Sequence, residues 1–304
     1  MLKFDKRLKK SEVGPDVSRV WNQRITKILE KFVEICDKNN LRYYMLGGSL
    51  IGVVRHKGMI PWDDDIDVGM PLPDYQRFIE ICKKENLDDF ELFTPEDTPG
   101  FYASNILLVD KNSSLLFWRR HLCVLGLFLD IFPICGIGND LEKAKNVYHK
   151  VCRYSYYLMI VSSKYTLSNL LSFYNNNQKK RVFYYLLFIL NRSYFRKRIL
   201  KKIKNAQLAY DYDKSDYLVN YVFAGGEKEI FLSKYVNETI DGDFDGVKVK
   251  IPQLYDDYLK YRYGDYMQLP PIEERDDRHE FDYLNLQKRL SREEILEIIK
   301  KEGR

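Results

Sequence analysis

Four of the five residues 63–67 are aspartate: Asp63, Asp64, Asp65 and Asp67 stand in the stretch 46–70, LGGSLIGVVRHKGMIPWDDDIDVGM, behind a glycine turn and a basic loop. Neighbouring carboxylates repel one another, so the cluster costs stability unless a cation or a functional demand offsets it. The run DIDVGM alternates as a strand does, and residues of equal parity share one face of a strand. On that reading Asp63, Asp65 and Asp67 project together while Ile66 and Val68 turn into a core. Carboxylate oxygens a few ångströms apart are the hard ligands that Mg²⁺ prefers. The bland alternative is an acidic patch on a solvated loop; the glycines upstream and the apolar residues between the acids favour a metal site.

LRYYML reads as a short buried strand stopped by Gly47 and Gly48, and SLIGVVR as two helical turns with Ser49 as cap. Glycines at such a turn let backbone N–H groups approach phosphate oxygens, and nearby carboxylates hold the metal that neutralises them. Two aspartates on one edge cannot surround metal ions, so a third carboxylate is expected from a neighbouring strand. Asp130, in the apolar run GLFLDIFP, is the candidate, because an unpaired charge there is expensive. Its alternative roles are a cap or a buried salt bridge.

Residues 16–40 carry apolar side chains near helical spacing, and a helix is expected after Pro73 and Asp74. FELFTP, NILLVDK and LGLFLDIFPI read as strands, the last ending at Pro133. DGDFDGVKVKIP reads as a hairpin, PQLYDDYLKYRYG as a helix opened by Pro252 and closed by Gly264, and SREEILEIIKKEG as a helix with a capping box of Ser291 and Glu294. Helices mixed with strands to about residue 135 indicate an α/β or α+β domain on one sheet. The chain divides into a catalytic core, 1–140, a basic aromatic helical insert, 141–215, and a C-terminal segment, 216–304, that completes the core.

Between residues 142 and 211 there are 15 Lys and Arg and no acid, against a net charge of +5 for all 304 residues, so the remainder carries −10. One surface therefore attracts anions while the rest repels them. Within 179–204 Phe195, Ile199 and Ile203 share a helical face flanked by cations, a pattern suited to a membrane interface with anionic lipid. A core helix and a nucleic-acid surface are the alternatives, and no zinc finger, RRM or KH signature supports nucleic acid. No apolar run is long enough to span a bilayer, the N-terminus lacks the apolar core of a signal peptide, and the five cysteines form no CxxC pair. The expected location is cytoplasmic, peripheral at the inner face of the cytoplasmic membrane.

The stretch 46–70 closely resembles the signature of the LicD family, which includes bacterial phosphorylcholine transferases and is related to the fukutin proteins, within the nucleotidyltransferase-like superfamily. LFLDIFPI resembles its second acidic strand, and FDGVKVKIPQLYDDYLKYRYGDYMQLPP its C-terminal signature. The resemblance implies an α+β fold with a nucleotidyltransferase-like mixed sheet flanked by helices. It implies two Mg²⁺ ions held by Asp65, Asp67 and Asp130, with Asp63 or Asp64 as a further ligand. It also implies transfer of a phospho-alcohol from a CDP-alcohol such as CDP-choline to a hydroxyl of a lipid-linked cell-surface glycan, releasing CMP. Lipopolysaccharide, teichoic acid and capsule are acceptors of this kind, and phosphocholine is the leading group.

Gly47, Gly48, Ser49, Arg55, Lys57 and Trp62 are then expected at the donor, with Arg55 and Lys57 on its phosphates and Trp62 in a cation-π box. A solvated basic loop is the competing account of Arg55 and Lys57. His56 has no partner at metal-ligand spacing. Arg275 and His279 either touch a substrate or stabilise a loop. The competing functions are a nucleotidyltransferase using a nucleoside triphosphate and a non-catalytic membrane-associated binding module.

Overall fold

The computed structural model describes residues 7–164, 192–222, 225–275 and 279–302. A long helix, α1 (Pro15–Lys38), opens them, started by a proline in its first turn and burying one stripe from Trp21 through Ile25, Ile28, Leu29 and Phe32 to Cys36. Helix α3 (Leu72–Lys84) lies beside it, and Phe32 and Phe78 meet with ring centroids 5.3 Å apart. Both helices pack on a mixed seven-stranded sheet. Truncating a side chain such as Phe32 to alanine would cost about 3–5 kcal/mol.

The sheet runs β1 (Tyr44–Met45), β2 (Asp67–Pro71), β6 (Phe128–Gly138), β4 (Ile106–Asp110) and β3 (Phe90–Phe93), with β7 (Tyr217–Asn220) paired to β6 and β8 (Ile230–Leu232) to β7. Strands β2 and β6 are parallel, and their register sets Asp67 opposite Asp130. This α+β architecture, a mixed sheet flanked by helices, is the one expected.

Strand β6 does not stop at Pro133. Its last partner on β4 is Ile131 and its first on β7 is Ile134, so Pro133 falls where the neighbour changes and its missing N–H breaks neither ladder. Pro252 likewise ends a strand rather than opening a helix. The hairpin β9 (Thr239–Phe244) and β10 (Val247–Pro252) turns at Asp245 and Gly246, both at positive φ. Helix α6 (Tyr255–Tyr263) starts later and ends at Gly264, φ +72°. β5 (Ser114–Leu116) pairs with β11 (Tyr283–Asn285), and α7 (Arg292–Lys301), capped by Ser291 and Glu294, packs Ile295 and Ile299 against that ribbon.

The insert contributes α4 (Leu141–Val161) and α5 (Arg192–Gln207), which pack on each other. The apolar stripe of α5 faces inward: Ile199 and Ile203 are buried in the main core and Phe195 packs against it. The expected insertion of that stripe into lipid is therefore corrected for 192–204, since an apolar face already covered by protein gains nothing from acyl chains. The part of that expectation on 179–191 lies outside the described residues.

Candidate metal and substrate site

The glycine turn follows the end of β1, as expected, and is also a helix start. Leu46 accepts the N-cap position, α2 (Gly47–Ile51) follows, and the helix continues in π geometry over Gly52–His56. Gly47 has φ +54°, a left-handed conformation that a side chain would strain. At Gly48 a Cβ would lie 2.5 Å from Oδ2 of Asp63, so any side chain there would push that carboxylate aside. Ser49 is not a cap. It lies inside α2, and its hydroxyl accepts a hydrogen bond from the Asp67 N–H at 2.9 Å, while the Leu46 N–H donates to the Asp67 carbonyl at 3.0 Å. The turn thus clamps the first residue of β2.

Asp63 and Asp65 precede β2, so strand parity does not align them. Asp65, Asp67 and Asp130 nevertheless converge, each bringing one carboxylate oxygen within 4.8 Å of the others. Asp67 and Asp130 arrive by strand register, and Asp65 by the irregular approach to β2. Asp63 instead turns toward α2 beside Gly48, outside this trio. Asp130 is fixed by Asn105, whose Nδ2 donates to Oδ1 at 2.6 Å.

Asp64, Asp65 and His279 form a second trio with the same 4.8 Å limit, sharing Asp65 with the first. His279 Nδ1 lies 3.0 Å from Asp64 Oδ1 and 3.5 Å from Asp65 Oδ2. Burial alone would lower the His279 pKa, but the hydrogen bond to Asp64 and the charges of Asp65, Asp64 and Asp130 hold it at about 9. Burial, then neighbouring carboxylates, push Asp65 and Asp67 well above the usual range. Burial also lifts Asp130 to about 6, against the hydrogen bond from Asn105. The site is short of positive charge, and His279 supplies part of it.

The first trio is all-oxygen and fits a hard divalent cation such as Mg²⁺. The second contains an imidazole nitrogen, a less suitable donor for that ion. Asn105 and His279 were not identified as parts of the acidic centre by sequence reasoning. The only local signals are a polar residue before the apolar run of β4 and a histidine in the acidic C-terminal loop.

The basic loop is arranged differently from expectation. Arg55 Nη1 donates to the carbonyls of Tyr266, at 2.6 Å, and Gln268, at 3.4 Å, and its Nε to His56 Nε2 at 2.9 Å. Lys57, at φ +60°, ends the π turn and places its charge near Asp243 of β9. Trp62 meets His56 edge to face, and the Arg275 guanidinium lies over its ring at 5.2 Å, where a ligand cation was expected. Burial and the nearby Arg275 lower the Arg55 pKa. Arg275 is thus near enough to disfavour the charge of Arg55, and among the described residues both guanidiniums bond backbone carbonyls and neither has a carboxylate partner.

A cavity of about 900 Å³ opens beside Asp130, with His279 also in its wall. Tyr102, Phe117, Trp118, His121 and Phe128 supply its aromatic surface.

The LicD/FKTN/FKRP nucleotidyltransferase domain matches residues 40–157, which include the first trio. The lipopolysaccharide cholinephosphotransferase LicD of Haemophilus influenzae is 30% identical over 255 residues, 83% of this chain and 92% of the relative. A stretch of 42 residues, 14% of this chain and 8% of the relative, is 45% identical to the human ribitol 5-phosphate transferase FKRP. An uncharacterized protein of Rickettsia prowazekii is 32% identical over 130 residues, 35% of this chain and 48% of that protein. Similarity that spans nearly the whole of a cholinephosphotransferase and encloses the converging carboxylates makes this chain a transferase of the LicD family.

Proposed function

We propose that the protein moves a phospho-alcohol, phosphocholine first among the candidates, from a CDP-alcohol to a hydroxyl of a glycan, releasing CMP, with Mg²⁺ at Asp65, Asp67 and Asp130. The observation that carries this reading is the parallel register of β2 and β6, which sets Asp67 against Asp130 and completes an all-oxygen trio with Asp65. The names of the relatives, a cholinephosphotransferase and a ribitol 5-phosphate transferase, support phospho-alcohol transfer to a glycan.

When bound, the cation neutralises phosphoryl oxygens and lowers the pKa of a hydroxyl near it. The chain's own residues supply the rest. Asn105 donates to one oxygen of Asp130 and so orients the carboxylate toward the cation position it would share with Asp65 and Asp67. His279, positively charged, offsets the remaining carboxylates. Arg55 and Arg275, two cations without carboxylate partners among the described residues, are suited to the donor diphosphate. Gly47 and Gly48 open α2 with first-turn N–H groups that have no carbonyl within the helix.

The acceptor's carrier is proposed to be a lipid at the inner face of the cytoplasmic membrane. Among the described residues no helix is long and apolar enough to cross a membrane. Support for a peripheral contact comes from charge: Lys197, Arg198, Lys201, Lys202 and Lys204 are exposed on α5.

The test is CMP release from CDP-choline and other CDP-alcohols with Mg²⁺ and a lipopolysaccharide oligosaccharide, beside an Asp65→Ala, Asp67→Ala double variant. Acceptor-dependent CMP, absent in the variant, is expected. Pyrophosphate from a nucleoside triphosphate would instead establish a nucleotidyltransferase, and metal binding without any turnover a binding module.

A further inference from the structure

Two residues in the wall of the cavity beside Asp130 keep buried polar atoms that no group of the protein pairs. His121 is 3% exposed, yet neither ring nitrogen has a hydrogen-bond partner, and Arg120 Nε is buried and equally unpartnered. Burial, with Arg120 and Arg7 adding repulsion, holds the His121 pKa near 3, so the ring is neutral, with one N–H donor and one acceptor nitrogen. His121 is packed against Tyr102, with ring centroids 3.9 Å apart, and lies 6.1 Å from Trp118. Arg120 lies over the Trp118 ring at 3.7 Å, with no carboxylate partner among the described residues. A buried polar group without a partner is costly, and a structure that keeps several on one wall calls for a functional reason.

The chemistry of these groups restricts the occupant. A quaternary ammonium has no hydrogen to donate and no lone pair to accept with. A phosphate oxygen only accepts, which leaves the acceptor nitrogen of a neutral imidazole unmatched. A hydroxyl does both, and a ring bearing several hydroxyls also offers C–H faces to aromatic side chains. A volume of about 900 Å³ exceeds what one small headgroup needs and lies in the range of ordinary ligand pockets.

We propose that this cavity is the acceptor subsite: it takes a saccharide, with His121 and Arg120 bonding ring hydroxyls, aromatic side chains against the ring face, and the reacting hydroxyl at the Asp130 end. The assignment rests on the phospho-alcohol transfer reading above and adds to it which side of the carboxylates each substrate occupies. The donor diphosphate lies toward Arg55 and Arg275, and the glycan in the aromatic cavity. His121 is a binding residue here, separate from the metal trio.

The test uses the full chain with Mg²⁺ and a deacylated lipopolysaccharide oligosaccharide, comparing the parent with His121→Phe and Arg120→Met. His121→Phe keeps the stacking on Tyr102 while removing both nitrogens, and thermal melting verifies that each variant is folded. Loss of one or two hydrogen bonds is expected to raise the acceptor KM about tenfold, with no matching rise in the CDP-choline KM. Saturation-transfer NMR of the oligosaccharide without donor is expected to show contact in the parent and loss of contact in both variants. An acceptor KM unchanged in both folded variants, a rise confined to the CDP-choline KM, or displacement of the saccharide by CMP would overturn the assignment. If no CDP-alcohol yields CMP, transfer itself fails, and the NMR comparison still decides whether saccharide occupies this cavity.

Discussion

Asp130→Asn separates what the acidic centre does for function from what it does to stability. Lifting the Asp130 carboxyl from its ordinary 3.8 to about 6 corresponds to a penalty of about 3 kcal/mol on its charged form at pH 7. The side chain is half-buried, and solvent screening brings the expected gain from removing the charge down to about 1–2 kcal/mol. The amide oxygen of asparagine can still accept from Asn105, so the substitution preserves the one hydrogen bond that fixes this position. Without divalent cation, the variant should therefore melt about 1.5–3 °C above the parent at pH 7, while Mg²⁺-dependent transfer falls at least about a hundredfold.

The sign of the pH dependence follows from the direction of the shift. A carboxyl whose folded pKa lies above its unfolded one binds more protons in the folded state between the two values. The penalty is absent below the unfolded value of 3.8, grows through the window up to about 6, and is complete above it. The gap between variant and parent should thus narrow to about half at pH 5. Differential scanning calorimetry in EDTA at pH 5 and pH 7 measures both points. A variant less stable than the parent at pH 7, or a gap that widens toward pH 5, would refute the electrostatic account.

Three further outcomes are expected. Arg262→Met leaves the Glu229 carboxylate, 0% exposed, without its bidentate partner, and urea titration should show a loss of about 3–5 kcal/mol that Glu229→Leu in the same chain largely restores. Gly126→Ala would set a Cβ 2.1 Å from the Asp110 carbonyl oxygen, backbone that cannot step aside, so its denaturation midpoint should drop by the equivalent of about 1–3 kcal/mol. Lys197→Glu with Lys201→Glu should reduce sedimentation with phosphatidylglycerol vesicles severalfold at low salt. Equal binding by both proteins would remove the membrane contact.

The sequence exposed the carboxylates at 65, 67 and 130 because each is an acid beside residues that must be buried, a conflict visible without coordinates. It exposed the long helices and the hairpin through periodicity and the Asp245–Gly246 turn. What it could not display are relations set by tertiary packing. Pro133 looks like a strand end until two different neighbours are seen on either side of it. The α5 stripe has the same pattern whether it faces lipid or α4. Arg55 and Lys57 look equivalent in HKG's company, yet one bonds the 266–268 carbonyls and the other lies near Asp243. His279 carries no spacing relation to the aspartates, and Asn105 looks like an ordinary polar residue at a strand start.

His279 reaches Asp64 across 215 residues of chain. During synthesis the aspartates at 63–67 emerge before Asp130, and the imidazolium that tempers them follows only after a further stretch of more than a hundred residues. A nascent or truncated chain ending before residue 279 carries these carboxylates without that counter-charge, and its strands β2 and β6 must pair against undiminished repulsion. The arrival of His279 thus sets the moment at which the acidic centre becomes tolerable, and proteolytic loss of the segment that carries it would be felt at carboxylates 215 residues away in sequence.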